Sequence, residues 1–257
     1  MGYGLYNMQG HHSLIIDIGN SLVKLFVAGD FEILYAATYG SIADLEKIFA
    51  RFPRIRNGIY SASGHIPCEL EDFLAERLEN FIKFSPDTPI PVTSLYRSPK
   101  TLGSDRLASA IGVNHFFPDT NVIIFDFGTA ITIDFMDSGN NYLGGNISPG
   151  LSVRLKSLNF FTNSLPLLQI PHEIGEIGTT TNEAIEIGVV RGIIGEAMTY
   201  IREYPEHKII FTGGDSFYFA VKIKTPIFVF QNPAVFGLNR VLHHILDRDS
   251  NGHTLQD

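Results

Sequence analysis

Two short stretches carry the residues best suited to chemistry. "LIIDIGN" runs from Leu14 to Asn20 and "IIFDFGT" from Ile123 to Thr129, so an apolar run twice ends in Asp-x-Gly followed by a small polar residue. The two aspartates, Asp17 and Asp126, stand 109 positions apart. Glycine at such a bend lets the backbone approach a ligand closely, and its N–H groups with a neighbouring Asn, Ser or Thr side chain can donate to phosphate oxygens. A carboxylate at the strand end serves the complementary need, because phosphates bring a cation and an aspartate can hold that cation or its water. Either stretch alone is an ordinary turn. Two in register point to one nucleotide gripped from both sides.

The elements that must position these turns repeat as well. After Asp17 come a strand over Leu22 to Ala28, a turn at Gly29-Asp30, a strand over Phe31 to Thr38 and a helix from Ser41. After Asp126 come a strand over Ala130 to Met136, the turn "DSGNN", a strand over Tyr142 to Ile147 and a helix near Pro149-Gly150. An offset of 109 carries Asp30 onto Gly139 and Ser41 onto Gly150, so the halves keep register through three strands and a helix start. The pattern reads as one duplication of a three-stranded meander plus helix, with no short solenoid period. Ser41 with Asp44 predicts a helix cap, and Ile42, Leu45, Ile48 and Phe49 recur at helical spacing until Phe52-Pro53. Single buried strands are expected at Asn57 to Ser63 and His207 to Asp215, with helices at Cys68 to Phe84, Ser104 to Phe117 and Asn182 to Glu203. Prolines at Pro86 to Pro91 and Pro118-Asp119 mark loops, the second being the expected boundary. The division is therefore a leader over 1–12, expected to be disordered, and domains over 13–118 and 119–257.

Composition narrows the partners. The chain has 257 residues, 44% of them hydrophobic, with Lys+Arg 19 against Asp+Glu 27 and a formal charge of −8. Without a basic run, neither nucleic acid nor an anionic membrane surface is an expected partner. Cys68 is the single cysteine, no apolar stretch approaches ~18 residues, and the leader lacks a signal-peptide core. A cytoplasmic location is expected. His11 and His12 read as a solvated tail and His243-His244 as surface helix. The sequence contains no P-loop, no G-x-G-x-x-G, no G-x-S-x-G and no H-E-x-x-H, so the duplicated phosphate turns carry the functional reading.

Six motifs taken together resemble the type III pantothenate kinase family. They are "DIGNSLVK" (Asp17 to Lys24), "YRSPKTLGSDR" (Tyr96 to Arg106), "DFGTAIT" (Asp126 to Thr132), "GGNISPG" (Gly144 to Gly150), "GTTTNEAIEIG" (Gly178 to Gly188) and "FTGGD" (Phe211 to Asp215). Each is weak alone; the specificity lies in their number and order from Leu14 to about Leu238. The resemblance implies an α/β fold of two duplicated ribonuclease-H-like domains, as in the actin-like, sugar kinase and Hsp70 superfamily. It implies mixed sheets flanked by helices and ATP in the cleft between the domains. The implied activity is ATP-dependent phosphorylation of pantothenate, the first step of coenzyme A synthesis, by a homodimer with pantothenate pockets near the subunit interface.

The same resemblance implies residue roles. Asp17, Ile18, Gly19, Asn20, Ser21, Leu22, Val23 and Lys24 would contact ATP phosphates, with Thr129 on the nucleotide. Ser21 stands where the family usually has Thr, which keeps the hydroxyl. One Lys cannot balance a triphosphate, so Mg²⁺ is expected, with Asp17 as its protein contact. Asp126 would help bind a monovalent cation, K⁺ or NH₄⁺. Tyr96, Gly103, Ser104, Asp105, Arg106 and Thr181 would form the pantothenate site, and Gly213, Gly214 and Asp215 would shape the nucleotide cleft.

Asp105 is the expected catalytic base and Arg106 the partner of the substrate carboxylate. On position alone, Ser104 reads as a helix cap, Asp105 as an acid placed for the helix dipole (~0.3–1 kcal/mol) and Arg106 as solvated. Tyr96 equally reads as a loop aromatic and Thr181 as a helix cap. Two other functions share the fold: an ATP-binding regulator, or another small-molecule kinase or phosphatase of the superfamily.

Overall fold

The computed structural model describes residues 12–19, 22–62 and 66–252. The described residues divide into two compact units, the first comprising residues 12–117 and 233–252 and the second 118–232.

In the first unit, β1 (Ser13–Ile18), β2 (Val23–Ala28) and β3 (Ile33–Thr38) form an antiparallel meander. The chain then crosses through α1 (Ile42–Arg51) to β4 (Asn57–Ala62), parallel to β1, and through α2 (Cys68–Arg77) to β5 (Asn80–Lys83), parallel to β4. The strand order is β3-β2-β1-β4-β5. A two-residue extended stretch, β6 (Thr93–Ser94), and a 3₁₀ turn at Pro99–Thr101 lead into α3 (Ser104–Phe116).

The near-continuous apolar run of β1 follows from cover on both faces. Leu14 and Ile16 join Leu45, Ile48, Phe49, Leu70 and Leu74 of α1 and α2 in one core. Side chains alternate across a strand, so Ile15, also fully buried, faces the opposite layer, where the final helix of the chain packs on β1, β2 and β4.

Two expectations are corrected here. The segment Cys68 to Phe84 is not one helix: Leu78 is extended (φ −103°, ψ 141°) and "NFIK" becomes β5. Pairing with β4, supported by Asn80 Nδ2 donating to Asn57 Oδ1 at 2.7 Å, outweighs the helical reading of an apolar run. The domain expected over 119–257 also loses its last helix, Pro233–Gly252, which belongs to the first unit. That helix meets α3 with backbone touching backbone. A Cβ on Gly112 would lie 1.9 Å from Pro233 O, and one on Gly237 would lie 1.8 Å from Ala108 O. Arg240 Nη1 donates to Asn114 Oδ1 at 2.8 Å, and Asn239 Nδ2 donates to Gly29 O at 3.0 Å. His243 is half-buried on the same helix, 3.3 Å from Ser13 Oγ.

The second unit repeats the plan. β7 (Val122–Phe127), β8 (Ala130–Met136) and β9 (Asn141–Pro149) form the meander, followed by α4 (Leu151–Phe161) and α5 (Thr181–Glu203). β10 (Lys208–Thr212) then runs parallel to β7, and after α6 (Ser216–Ala220) the short β11 (Phe228–Val229) runs parallel to β10. Within this unit the order is β9-β8-β7-β10-β11, the first unit's order repeated. Phe125, Phe127, Ile131, Leu151, Val190 and Phe211 centre its core. With α5 now placed, the helix Pro233–Gly252 is α7, and α6 precedes it in the chain.

Candidate active site

Asp17 is the next-to-last residue of β1, directly across the hairpin from Lys24 and beside Ser61 on the parallel strand β4. Gly19 N–H donates to Leu22 O at 3.0 Å and closes the hairpin base. Asn20 and Ser21 lie outside the described residues. Ile18 is a core side chain, whereas Leu22 is exposed, Val23 half-buried and Lys24 exposed. Burial raises the carboxyl of Asp17 above the ordinary carboxylate range; the Lys24 charge opposes that shift and the negative charge of Asp105 adds to it. Three charged residues singled out in the sequence thus share one electrostatic neighbourhood.

The start of α3 is built differently from its sequence reading. Gly103 is the N-cap and Ser104 the first helical residue, so the cap expected at Ser104 is displaced by one. The Ser104 hydroxyl turns instead to Ser61, Oγ to Oγ 2.8 Å. Asp105 is exposed and its Oδ1 accepts from Arg106 N–H at 2.9 Å. A Cβ at residue 103 would stand 2.5 Å from that oxygen, so any larger residue there would displace the Asp105 carboxylate. Arg106 is 7% exposed, against its reading as a solvated side chain. Tyr96 is half-buried in the loop before α3, its N–H 3.5 Å from Ser94 Oγ. Beside this loop lies a small open cavity of about 60 Å³, lined by Phe84, Ile90, Pro99, Leu102 and Leu107 together with Ser94 and Ser104.

The second unit holds Asp126, Thr129 and Thr181. Asp126, half-buried near the end of β7, pairs in register with Thr132 of β8 and Thr212 of β10. Its carboxylate lies against the turn after β10, where Gly213 has φ +88° and a Cβ would come within 2.3 Å of Asp126 Oδ1. Only glycine suits that conformation and that contact. Asp215 N–H donates to Phe127 O at 3.1 Å, and burial raises the Asp215 carboxyl. Thr129 is exposed at the hairpin, its carbonyl accepting from Gly150 N–H at 3.0 Å, and a Cβ on Gly150 would stand 2.1 Å from Gly128 O. Thr181 is exposed in the first turn of α5, but the helix cap is Thr180, whose Oγ1 accepts from Glu183 N–H at 3.3 Å.

Sequence reasoning missed Ser61. Its signal was the register: on the strand parallel to β1, the residue level with Asp17 borders the same site, and a serine there departs from the apolar run around it.

A meander continued by two parallel strands is present in each of the two units, and solved structures share this fold. A ROK hexokinase from Thermus thermophilus superposes with a TM-score of 0.51 at 10% identity, covering 91% of this chain and 99% of that one. A Baf family protein from Campylobacter jejuni superposes at 0.59, with 22% identity and coverages of 91% and 99%. At those identities the likeness concerns fold alone.

Sequence defines the family. The type III pantothenate kinase profile matches residues 13–203. A type III pantothenate kinase of Phocaeicola vulgatus is 39% identical over 238 residues, 90% of this chain and 98% of the relative. One from Flavobacterium johnsoniae is 35% identical over 244 residues, 92% and 99% of the two chains. The chain belongs to the type III pantothenate kinase family, and is a kinase.

Proposed function

We propose that the chain transfers the γ-phosphoryl group of ATP to a hydroxyl of pantothenate, giving 4'-phosphopantothenate for coenzyme A synthesis. The observation that carries this reading, in a member of this family, is the gathering of Asp17, Lys24 and Asp105 at one end of the first unit's sheet. Phosphoryl transfer asks a protein mainly for positioning and charge neutralisation. Gly19 to Lys24 supply the hairpin N–H groups and one cation for the phosphates, and Thr129 supplies a hydroxyl to the nucleotide. Asp105 accepts the proton of the pantothenate hydroxyl as the new P–O bond forms. A carboxylate is a weak base, yet a loose transition state needs that proton removed late. Arg106 faces the substrate carboxylate, and Tyr96, Gly103, Ser104 and Thr181 complete the pantothenate site.

A divalent cation fits the donors present. Mg²⁺ typically takes one or two carboxylates and otherwise relies on water and substrate phosphates. Among the described residues no group of three or more His, Cys, Asp or Glu could hold a metal, so a single carboxylate at Asp17 suits Mg²⁺ arriving with ATP better than a resident metal cage. When bound, the ion would neutralise phosphate charge. Asp126, against the glycine turn of β10, offers hard oxygen to a monovalent cation, K⁺ or NH₄⁺. Among the described residues no helix is long and apolar enough to cross a membrane. We read the enzyme as a cytoplasmic homodimer.

The test is ADP release from ATP and Mg²⁺, with and without pantothenate and with K⁺, NH₄⁺ or Na⁺. Pantothenate-dependent release activated by K⁺ or NH₄⁺ is expected. ADP release indifferent to pantothenate would overturn the substrate assignment.

A further inference from the structure

Ser61 is 5% exposed, a hydroxyl placed on the inner strand β4 beside Asp17. Its Oγ stands 2.8 Å from Oγ of Ser104, the first residue of α3. Because Gly103 forms the cap, Ser104 does not spend its hydroxyl on its own helix. The bond therefore joins two elements, the strand level with Asp17 and the helix start that carries Asp105. A buried hydroxyl left without its partner costs ~1–3 kcal/mol, so the pair favours one separation of helix and strand.

We propose that Ser61 is a positioning residue for phosphoryl transfer, anchoring the first turn of α3 through Ser104 and so setting where the Asp105 carboxylate stands relative to the Asp17 hairpin. Ser61 touches neither substrate nor the transferred group. It acts on kcat through the geometry of the base, and it rests on the reading of Asp105 as that base. Misplacement of a catalytic group by ~1 Å can cost ~10²-fold in rate.

The experiment compares Ser61→Ala, Ser61→Thr, Ser104→Ala, the Ser61→Ala/Ser104→Ala double variant and Asp105→Asn, each with a thermal melt. Ser61→Ala is expected to lower kcat ~10- to 100-fold while the KM for ATP stays at the wild-type value. Ser61→Thr, which keeps the hydroxyl, is expected to recover most of that loss. The kcat of the double variant should fall no further than that of Ser61→Ala alone, because both changes break one bond; the contact of Ser104 with pantothenate is read separately in KM. Wild-type kcat in a folded Ser61→Ala protein, or kcat losses in the two single variants that multiply in the double, would overturn the proposal. Should Ser61→Ala not fold, Ser104→Ala and Ser61→Thr decide: full kcat in the first or none in the second sinks it. Inactive Asp105→Asn beside unaffected Ser61→Ala refutes only this inference, whereas active Asp105→Asn refutes the reading beneath it.

Discussion

At the end of β1, Asp17 sits across from Lys24 and beside Ser61; at the matching place on β7, Asp126 sits across from Thr132 and beside Thr212. The last strand pair of the first hairpin is Ile18 with Val23, and that of the second is Phe127 with Ile131. In the first unit the strand after β1 carries the cation, and a helix brings Asp105 alongside. In the second unit the surroundings are neutral hydroxyls and a glycine turn pressed against the carboxylate. One duplicated sheet plan thus places the two aspartates at equivalent positions in their units, among different neighbours on the adjacent strands. Strand order is set by burial of alternating apolar faces, which both units satisfy. Chemistry is set by the few residues at the strand ends, where burial imposes little.

The largest expected effect tests that division of labour. Asp105→Asn should lower kcat by ~10²–10⁴-fold, the usual range for losing a general base, with ATP binding retained. Asp126→Asn should instead raise the K⁺ or NH₄⁺ concentration needed for half-maximal activity and recover most turnover at saturating cation. Steady-state kinetics over a cation titration separates the two. An Asp126→Asn enzyme as inert as Asp105→Asn at every cation concentration would erase the distinction between the units.

Next in size is the glycine contact that gives α7 to the first unit. Gly237→Ala drives a methyl into the Ala108 carbonyl, and overpacking of this kind costs ~1–3 kcal/mol or more. Gly213→Ala in the second unit meets both strain at φ +88° and the Asp126 carboxylate. Both should lower the denaturant midpoint. Gly213→Ala should also disturb cation activation, whereas Gly237→Ala should leave kcat of the folded fraction near wild type.

Titration sharpens the comparison through opposite signs. The folded Asp17 carboxyl is raised by burial, so the native state holds the proton more tightly than the unfolded chain. Stability from this group is full below its unfolded pKa and lost as pH rises through the folded value. Asp17→Asn should therefore abolish turnover yet stabilise the ligand-free protein at pH 7, by ~0.5–2 kcal/mol as is common when a functional strain is removed. That advantage should vanish on acidification. Glu183 in the second unit is lowered, first by the hydroxyl and then by the N–H of Thr179, so its contribution is present above the unfolded pKa and disappears as pH falls. Melts of Asp17→Asn and Glu183→Gln across pH should diverge from wild type in opposite directions at neutral pH and converge with it in acid.

Much of this was legible because a meander announces itself by alternation and turns. The strand over Ala130 to Met136 was read to its ends, and the 109-residue offset exposed the duplication before any topology was known. Local signals misled where tertiary pairing competes. "NFIK" is an apolar continuation of a helix until β4 offers it a neighbour, and no pattern near Pro233 says that α7 returns to the first unit. Caps were off by one at both Ser104 and Thr181, because either of two adjacent small polar or glycine residues can cap and only the surroundings choose. Ser61 escaped notice for the same reason: its role comes from a register partner 44 positions away in sequence.

The smallest expected effect concerns those caps. At α5 the Thr180 hydroxyl accepts from Glu183 N–H while Glu183 Oε2 accepts from Thr180 N–H at 3.1 Å, a reciprocal box. At α1 the corresponding return bond is made by Asp44 Oδ2, which accepts from Gly40 and Ser41 N–H at 3.0 and 3.1 Å. Thr180→Ala should cost ~1 kcal/mol, within the usual range for a lost N-cap. It should also raise the KM for pantothenate, because it loosens the turn that presents Thr181, and should leave the KM for ATP alone. Ser41→Ala should change neither constant, since α1 carries none of the residues proposed for either substrate. A Thr180→Ala enzyme with wild-type KM for pantothenate would mean that the start of α5 does not govern substrate binding, and would remove Thr181 from the proposed pantothenate site.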